Sequence, residues 1–181
     1  MTAAPIPPTE TARLKELDSY SVLDTPPEQV FDDITFLASQ IYQTPIALMS
    51  LVDRDRQWFK SSIGLDVPET HRDLAFCAHA IWDPTEVMVV EDAAYDLRFS
   101  NNPLVVADPS IRFYAGAPLQ TAAGNALGTL CIIDRVPRQL DADEHEALRA
   151  LARLVMNELE VRRALLSLSD RLDRAAMDRA A

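Results

Sequence analysis

The chain has 181 residues, a length that suits one domain with a hydrophobic core and helical extensions. Its net charge of −11 argues against a nucleic-acid-binding surface and against docking on anionic lipid, so we expect neither a nucleic acid nor a membrane as a partner. Two cysteines, with neither a secretory signal nor an apolar run of about 18 residues, predict a cytoplasmic location where thiols stay free.

The first third of the chain predicts two helices followed by two strands. A proline-rich start predicts a disordered leader, which together with the start of the first helix covers residues 1–16. Pro26 suits the first turn of a second helix, and residues 46–53 and 57–63 read as a central strand and its partner. The second helix should bury one stripe: Phe31, Ile34, Leu37, Ala38 and Ile41.

The middle of the chain predicts a short helix, a short strand and a long connection. Asp73 can cap a helix over residues 74–82, and residues 87–90 form an apolar strand. Residues 95–110 show no sustained period and contain several Asn and Pro residues. A connection of this length in a compact domain is usually functional or contains a short helix.

Residues 111–134 predict an antiparallel hairpin. Apolar residues alternate with others at the start of this stretch, Gly124 interrupts the pattern, and residues 126–133 resume it. Glycine usually weakens a strand, so Gly116 and Gly128 indicate positions where the backbone bends or another segment approaches closely.

The last helix carries two apolar stripes. Asp141 and Glu144 form a capping-box pattern that predicts its start. One stripe should lie on the domain: Leu148, Ala152, Val155 and Leu159. The other has heptad spacing, interrupted at Glu158, and is called the seam below: Leu151, Leu154, Val161, Leu165, Leu168 and Leu172. A heptad seam needs a partner to cover it, so we predict a homodimer with a coiled-coil extension at residues 161–181.

Four blocks of the sequence resemble successive blocks of the GAF family of small-ligand sensory domains. They are PIALMSLVDRDRQWFKSSIGL, ETHRDLAFCAHAI, DLRFSNNPLV, and IRFYAGAPL with LGTLCIID. The resemblance is to a GAF subfamily commonly found in front of histidine kinases and diguanylate cyclases, and it places the domain at residues 17–160. It implies an α+β fold in α/β/α layers. In that fold an antiparallel sheet has the terminal helices on one face and a ligand-pocket helix and loop on the other.

The resemblance implies a ligand pocket between the sheet and the helix around Cys77. Its candidate residues are Ser50, Phe59, Cys77, Trp82, Asp92, Phe99, Phe113 and Cys131. Cys77 and His79 are two positions apart and point to different faces of a helix, so we expect no metal site. GAF domains that bind a bilin are expected to have Cys directly followed by His. Ala78 intervenes here, so we expect no covalent chromophore.

These observations predict a stand-alone cytoplasmic sensory or regulatory domain that binds an unidentified small ligand or acts as a dimeric signalling module. We expect no catalytic residue and no enzyme activity. The chain shows neither a kinase ATP-binding pattern nor a cyclase signature, so a histidine kinase or diguanylate cyclase would act in trans. Two alternatives stay open: a cysteine-dependent enzyme similar to free methionine sulfoxide reductases, and a ligand-free scaffold that dimerises and docks a kinase or cyclase.

Overall fold

A computed structural model describes residues 3–180. The first two residues of the predicted leader, Met1 and Thr2, and the last residue of the predicted extension, Ala181, lie outside the described residues. The helices are α1 (Glu10–Ser19), α2 (Gln29–Tyr42), α3 (Phe76–Ala80), α4 (Pro103–Val106) and α5 (Ala142–Ala180), with a 3₁₀ turn at Arg72–Leu74. The strands are β1 (Ile46–Val52), β2 (Arg56–Ile63), β3 (Glu69–His71), β4 (Met88–Val90), β5 (Phe113–Gln120) and β6 (Ala126–Asp134).

The strands form one antiparallel sheet in the order β3-β2-β1-β6-β5-β4. The predicted hairpin is confirmed, because β5 pairs with β6 and places Tyr114 opposite Ile133. Strand β1 lies on the other side of β6, with Leu48 opposite Cys131. The sheet lies between helical layers, and the predicted α+β fold is therefore confirmed.

Side chains alternate between the two faces of the sheet and form two separate cores. Met49 and Leu51 contribute to the core shared with α1, α2 and α5, whereas Leu48 and Val52 belong to the core under α3. The predicted inner stripe of α5 is confirmed, since all four of its residues are buried on the first face: Leu148, Ala152, Val155 and Leu159.

Helix α5 begins with the predicted capping box. The Glu144 backbone N–H donates to Asp141 Oδ1 over 2.8 Å, and the Asp141 N–H donates to Glu144 Oε2 over 2.9 Å. The two contacts satisfy backbone donors that the first helical turn leaves without intrahelical partners.

The predicted buried stripe of α2 is partly wrong. Phe31, Ile34 and Ala38 are buried, but Leu37 and Ile41 are 47% and 54% exposed. Residues at i and i+4 share a helix face, and the face of Leu37 and Ile41 is turned away from the sheet. Helix α2 therefore presents an apolar outer edge.

Gly116 and Gly128 lie where the sequence predicts a close approach. A Cβ atom on Gly128 would be 1.9 Å from the backbone oxygen of Ser50 on the neighbouring strand. A Cβ atom on Gly116 would be 2.1 Å from the hydroxyl of Tyr114, whose ring covers this position. Gly116 thereby makes room for the Tyr114 hydroxyl on the face of the sheet under α3.

Candidate functional site

The sheet face under α3 contains a cavity of about 410 Å³. Its volume lies within the range that small-molecule sites usually have. The sheet contributes the side chains of Leu48, Phe59, Tyr114 and Ile133, and the opposite wall consists of Phe76, Cys77 and Leu104. Residues 64–67, between β2 and β3, line one side of the cavity. The cavity is thus mainly apolar and lies where the sequence predicts a pocket.

Two buried polar atoms in the cavity wall have no hydrogen-bond partner among the described residues. They are Gln57 Oε1 and Thr70 Oγ1. These residues are opposite each other in the β2–β3 pairing, so both belong to one patch of the wall. An unsatisfied buried oxygen costs about 1–3 kcal/mol. Both oxygens are covered by neighbouring atoms, so a ligand that donates hydrogen bonds would reach this patch after the Gln57 and Thr70 side chains turn towards the cavity.

Charged side chains also line the cavity. They are Asp66, Glu69, Asp108 and Arg135. Arg56 Nη1 forms an ion pair with Glu69 over 2.7 Å, and Arg135 Nε donates to the backbone oxygen of Pro109 over 3.1 Å. The lining thus contains three carboxylates and one guanidinium group. It favours neutral or cationic ligands over anionic ones.

Both cysteines lie together at one end of the cavity. Cys77 Sγ on α3 is 3.8 Å from Cys131 Sγ on β6, and both residues are buried. The hydroxyl of Tyr114 donates to Cys77 Sγ over 3.3 Å. Ser50 and Thr129 place their hydroxyl oxygens 3.3 Å apart beside this pair. The apolar sheet face therefore includes one small cluster of thiols and hydroxyls.

Hydrogen bonding within this cluster makes the two thiols different. Burial alone would raise the pKa of Cys77, but hydrogen bonds to its sulfur, first that of Cys131, outweigh burial and lower the pKa to about 7. The remaining donors are the hydroxyls of Ser50, Thr129 and Tyr114. Burial and its neighbour Cys77 raise the pKa of Cys131 well above the ordinary value. Cys77 is therefore the more acidic thiol.

The long connection before β5 is fastened to the segment that leads into α3. The side chain of Asn102 accepts from the Leu104 N–H over 2.9 Å, which begins α4, and donates to the backbone oxygen of Leu74 over 2.9 Å. Phe99 stacks on Phe76 with ring centroids 3.9 Å apart. Both contacts set the height of the cavity roof above the sheet.

The predicted pocket residues do not all reach the cavity. Phe59 and Cys77 line it, and Ser50, Phe99 and Cys131 lie directly behind its wall. Three others were placed wrongly: Phe113, Trp82 and Asp92. Phe113 points to the helical face, because successive residues of a strand alternate between the two faces of the sheet. Trp82 follows α3 and is 48% exposed. The Asp92 carboxylate accepts from the Ala94 N–H within a turn.

The predicted list of pocket residues left out Gln57, Thr70 and Tyr114. Gln57 is two positions from Phe59 on the same strand, so the period of two was a signal that could have found it. Tyr114 has the same relation to Gly116. No comparable signal identified Thr70, because β3 has only three residues.

The predicted seam divides into a buried and an exposed part. Leu151 is 7% exposed and belongs to the core against the sheet, so its assignment to the seam is wrong. The first half of α5 lies on the sheet, and Leu151, which is next to the inner stripe of this helix, is covered by the domain itself. The remaining seam residues are 49% to 70% exposed: Leu154, Val161, Leu165, Leu168 and Leu172.

Residues 3–180 contain neither a candidate metal site nor a candidate membrane span. No three His, Cys, Asp or Glu side chains in this range are close enough together to hold a metal ion. No helix in the same range is both long and apolar enough to cross a membrane.

Comparison with known proteins identifies the fold and a relative. The model of the GAF domain family matches residues 26–159. A cyclic di-GMP phosphodiesterase from Pseudomonas aeruginosa is 46% identical over 165 residues, which cover 91% of this chain and 28% of the relative. The chain thus spans little more than a quarter of that protein's length. The prediction of no enzyme activity is contradicted, because the relative that the chain matches is named as an enzyme.

Solved structures at low sequence identity show the same fold. The GAF domain of a phosphoenolpyruvate-protein phosphotransferase from Coxiella burnetii has a TM-score of 0.64 at 16% identity, over 87% of this chain and 96% of that domain. A free methionine-R-sulfoxide reductase from Neisseria meningitidis, solved with its substrate, has a TM-score of 0.60 at 18% identity, over 91% and 99%. A blue-light-absorbing GAF domain from Thermosynechococcus elongatus has a TM-score of 0.59 at 12% identity, over 90% and 94%.

Proposed function

The chain belongs to the GAF domain family, and we propose that it is a sensory domain that binds a small ligand in the cavity between the sheet and α3. The observation that carries this proposal is the mainly apolar cavity of about 410 Å³, whose lining residues include Gln57 and Thr70, each with a covered oxygen that lacks a partner among the described residues. Buried polar groups in folded proteins are nearly always hydrogen-bonded. A ligand that supplies two donors here would remove the cost of both orphan oxygens.

The chemistry of the cavity limits the class of ligand. Its apolar walls suit a flat or aliphatic body, and the orphan oxygens call for N–H or O–H donors. The carboxylates Asp66 and Asp108 in the lining oppose a phosphate group. We therefore expect a small neutral or cationic compound rather than a cyclic nucleotide.

A signal from the cavity would reach α5 through the sheet. Tyr114 lines the cavity and Cys131 lies directly behind its wall, whereas their strand neighbours Phe113 and Ile132 belong to the core under α5. A ligand shifts the arrangement of α5 only if it binds one arrangement more tightly than another. The exposed seam residues from Leu154 to Leu172 would form the homodimer contact that these arrangements change.

The relative from Pseudomonas aeruginosa indicates the pathway in which the domain acts. We expect it to regulate hydrolysis of cyclic di-GMP, either within one polypeptide or by contact with a separate phosphodiesterase. A chimera tests this expectation: the matching segment of the relative is replaced by this chain, and cyclic di-GMP hydrolysis is measured. Retained hydrolysis that changes when Gln57 is replaced by Leu supports regulation. If neither the replacement of the segment nor Gln57→Leu alters the rate of hydrolysis, the expectation is contradicted.

Ligand binding is tested with the purified chain. A thermal-shift panel of free amino acids, nucleobases and nucleosides supplies neutral donors, and cyclic di-GMP serves as the anionic comparator. We expect a stabilising shift with one neutral probe that is lost in Gln57→Leu and kept in Gln120→Leu, whose side chain is exposed on β5. A shift that survives Gln57→Leu would place binding elsewhere.

Thiol reductase activity stays a second prediction. It is favoured by one observation, the 3.8 Å separation of Cys77 Sγ and Cys131 Sγ at the cavity. Incubation with free methionine-R-sulfoxide and dithiothreitol, compared with Cys77→Ser, checks it. Turnover that disappears in the variant supports the reductase, and absence of turnover in the unsubstituted chain contradicts it.

A further inference from the structure

We propose that Cys77 and Cys131 form a reversible intramolecular disulfide when a hydroperoxide enters the cavity, so that the cavity is also a thiol-modification site. This function is separate from ligand binding and from the dimer. It depends on three features of the described residues: the distance between the sulfurs, the access to one of them, and the hydroxyl groups around them.

The distance between the sulfurs suits bond formation. Their separation of 3.8 Å is close to van der Waals contact, and a disulfide requires about 2.05 Å. Bond formation therefore requires the two side chains to turn towards each other. The two residues lie on different elements, α3 and β6, so the bond would join the cavity roof to the sheet.

Access is different for the two thiols. Both residues are buried, with Cys77 1% and Cys131 0% exposed, but only Cys77 belongs to the cavity lining. A small oxidant therefore reaches Cys77 first. The arrangement resembles that of redox-sensor thiols, in which an attacked cysteine lies beside a second cysteine that resolves it.

Hydroxyl groups prepare Cys77 for the attack. Tyr114 donates to Cys77 Sγ over 3.3 Å, and its own hydroxyl lies 3.4 Å from Thr129 Oγ1. Hydrogen bonds to a sulfur favour its thiolate, which is the reactive form. The lowered pKa of Cys77 agrees with this geometry. Cys131, with its raised pKa, keeps its proton until the second step.

The proposed reaction has two steps that balance. The Cys77 thiolate attacks the outer oxygen of the hydroperoxide, the O–O bond breaks, and the sulfenic acid of Cys77 and an alkoxide form. The alkoxide takes up the proton that Cys77 released on ionising and becomes an alcohol (water, for hydrogen peroxide). Cys131 Sγ then attacks Cys77 Sγ, the S–O bond breaks, and water leaves with the thiol proton. Two thiols are oxidised by two electrons and the hydroperoxide is reduced. An added dithiol reverses the disulfide by exchange.

The consequence is a changed cavity. Joining Cys77 to Cys131 moves Cys77 Sγ away from Tyr114 Oη, which loses an acceptor. The roof helix α3 is then tied to β6, and the wall at this end of the cavity is rearranged. Oxidation would therefore change the affinity for any ligand that touches Cys77.

The experiment treats the full chain with hydrogen peroxide under native conditions, then unfolds it in iodoacetamide and measures its mass. We expect the unsubstituted chain to lose two hydrogens and to take up no iodoacetamide, with the alkylation of both thiols restored by dithiothreitol. In Cys131→Ser the disulfide is lost and dimedone traps the sulfenic acid of Cys77. In Cys77→Ser the remaining Cys131 stays reduced and is alkylated fully.

Several results would overturn the proposal. The first is two alkylated thiols in the unsubstituted chain at a dose that oxidises glutathione in the same tube. The second is a disulfide between chains on a non-reducing gel, and the third is trapping of Cys131 in Cys77→Ser. If a serine variant does not fold, peptide mapping of the oxidised unsubstituted chain decides by the presence or absence of a Cys77–Cys131 linked peptide.

Discussion

Glu10 on α1 forms an ion pair with Arg72, 62 positions further along the chain, with Oε1 2.5 Å from Arg72 Nη1. The other oxygen of Glu10 lies 2.8 Å from Arg13 Nε, and Arg13 is 1% exposed. Arg13 also donates to the backbone oxygen of Val52 over 2.7 Å. The carboxylate thus joins the first helix to the end of β1 and to the turn before α3. A contact made by the first helix therefore helps to hold the turn that leads into α3, the roof of the cavity.

Replacing Glu10 by Gln is expected to lower the free energy of unfolding by about 3 kcal/mol, because it leaves the buried Arg13 charge without its partner. Urea denaturation measures the effect. The matched control is Glu146→Gln, which breaks the exposed pair with Arg153 and should cost less than about 1 kcal/mol. Equal effects of the two substitutions would contradict the buried role of Glu10.

The same carboxylate predicts a loss of stability in acid. Burial would raise the pKa of Glu10, but hydrogen bonds from Arg13 and Arg72 outweigh it and lower the pKa to about 2 from 4.5. A lowered folded-state pKa means that the contribution is fully present above pH 4.5 and is lost as the pH falls towards 2. As the pH is lowered from 4.5 to about 2, the urea midpoints of the unsubstituted chain and of Glu10→Gln should converge. A constant difference would show that Glu10 is not the titrating group.

Replacing Gln57 by Leu is expected to stabilise the ligand-free chain by about 1 kcal/mol, since it removes an unpartnered buried oxygen. The same substitution should abolish ligand binding, so stability and function change in opposite directions. Urea denaturation of Gln57→Leu beside Gln120→Leu measures the first effect. A clear loss of stability in Gln57→Leu would mean that its side chain has a structural role instead.

Replacing Leu165 by Glu is expected to convert a dimer into a monomer, because it places a charge in the exposed seam. Leu166→Glu is the matched control. It changes the next residue of α5, which lies outside the heptad positions and is 42% exposed. Light scattering measures both masses. A monomeric unsubstituted chain at tens of micromolar, or dissociation by both substitutions alike, would contradict the seam.

Replacing Gly116 by Ala is expected to cost about 1–3 kcal/mol, because the new Cβ would overlap the Tyr114 hydroxyl. The double variant with Tyr114→Phe removes the nearest overlapping atom and should recover part of this loss. A double-mutant cycle from urea denaturation measures the coupling between the positions. Additive effects would show that Gly116 is needed for a reason other than the Tyr114 hydroxyl.

The reaction of Cys77 with hydrogen peroxide should accelerate as the pH rises through about 7, where its thiolate forms. Its neighbours in this cluster are Tyr114 on β5 and Cys131 on β6, and their pKa values are raised. Stopped-flow rates are measured on the unsubstituted chain, because Cys131 makes the largest of the hydrogen-bond contributions that lower this pKa. Tyr114→Phe removes one donor and should move the rate profile to higher pH. An unchanged profile would show that the Tyr114 hydrogen bond does not tune this thiol.

The local pattern of the sequence was sufficient to predict several elements of the fold. The alternation before Gly124 predicted the hairpin, Asp141 and Glu144 predicted the start of α5, and the spacing from Leu148 to Leu159 predicted its inner face. These features depend on neighbours within a few residues, and periods of 2 and 3.6 record them directly in the sequence. The resemblance to the GAF family then supplied the layer order.

Only the tertiary structure decided which face of each element meets which layer. Period alone could not tell that Phe113 faces the helices and Tyr114 the cavity, or that Leu151 is covered by the sheet and Leu165 is not. Nor could it show that Gln57 Oε1 has no partner among residues 3–180. A side chain's burial and hydrogen bonds depend on residues far away in the sequence, and those meet only when the chain has folded.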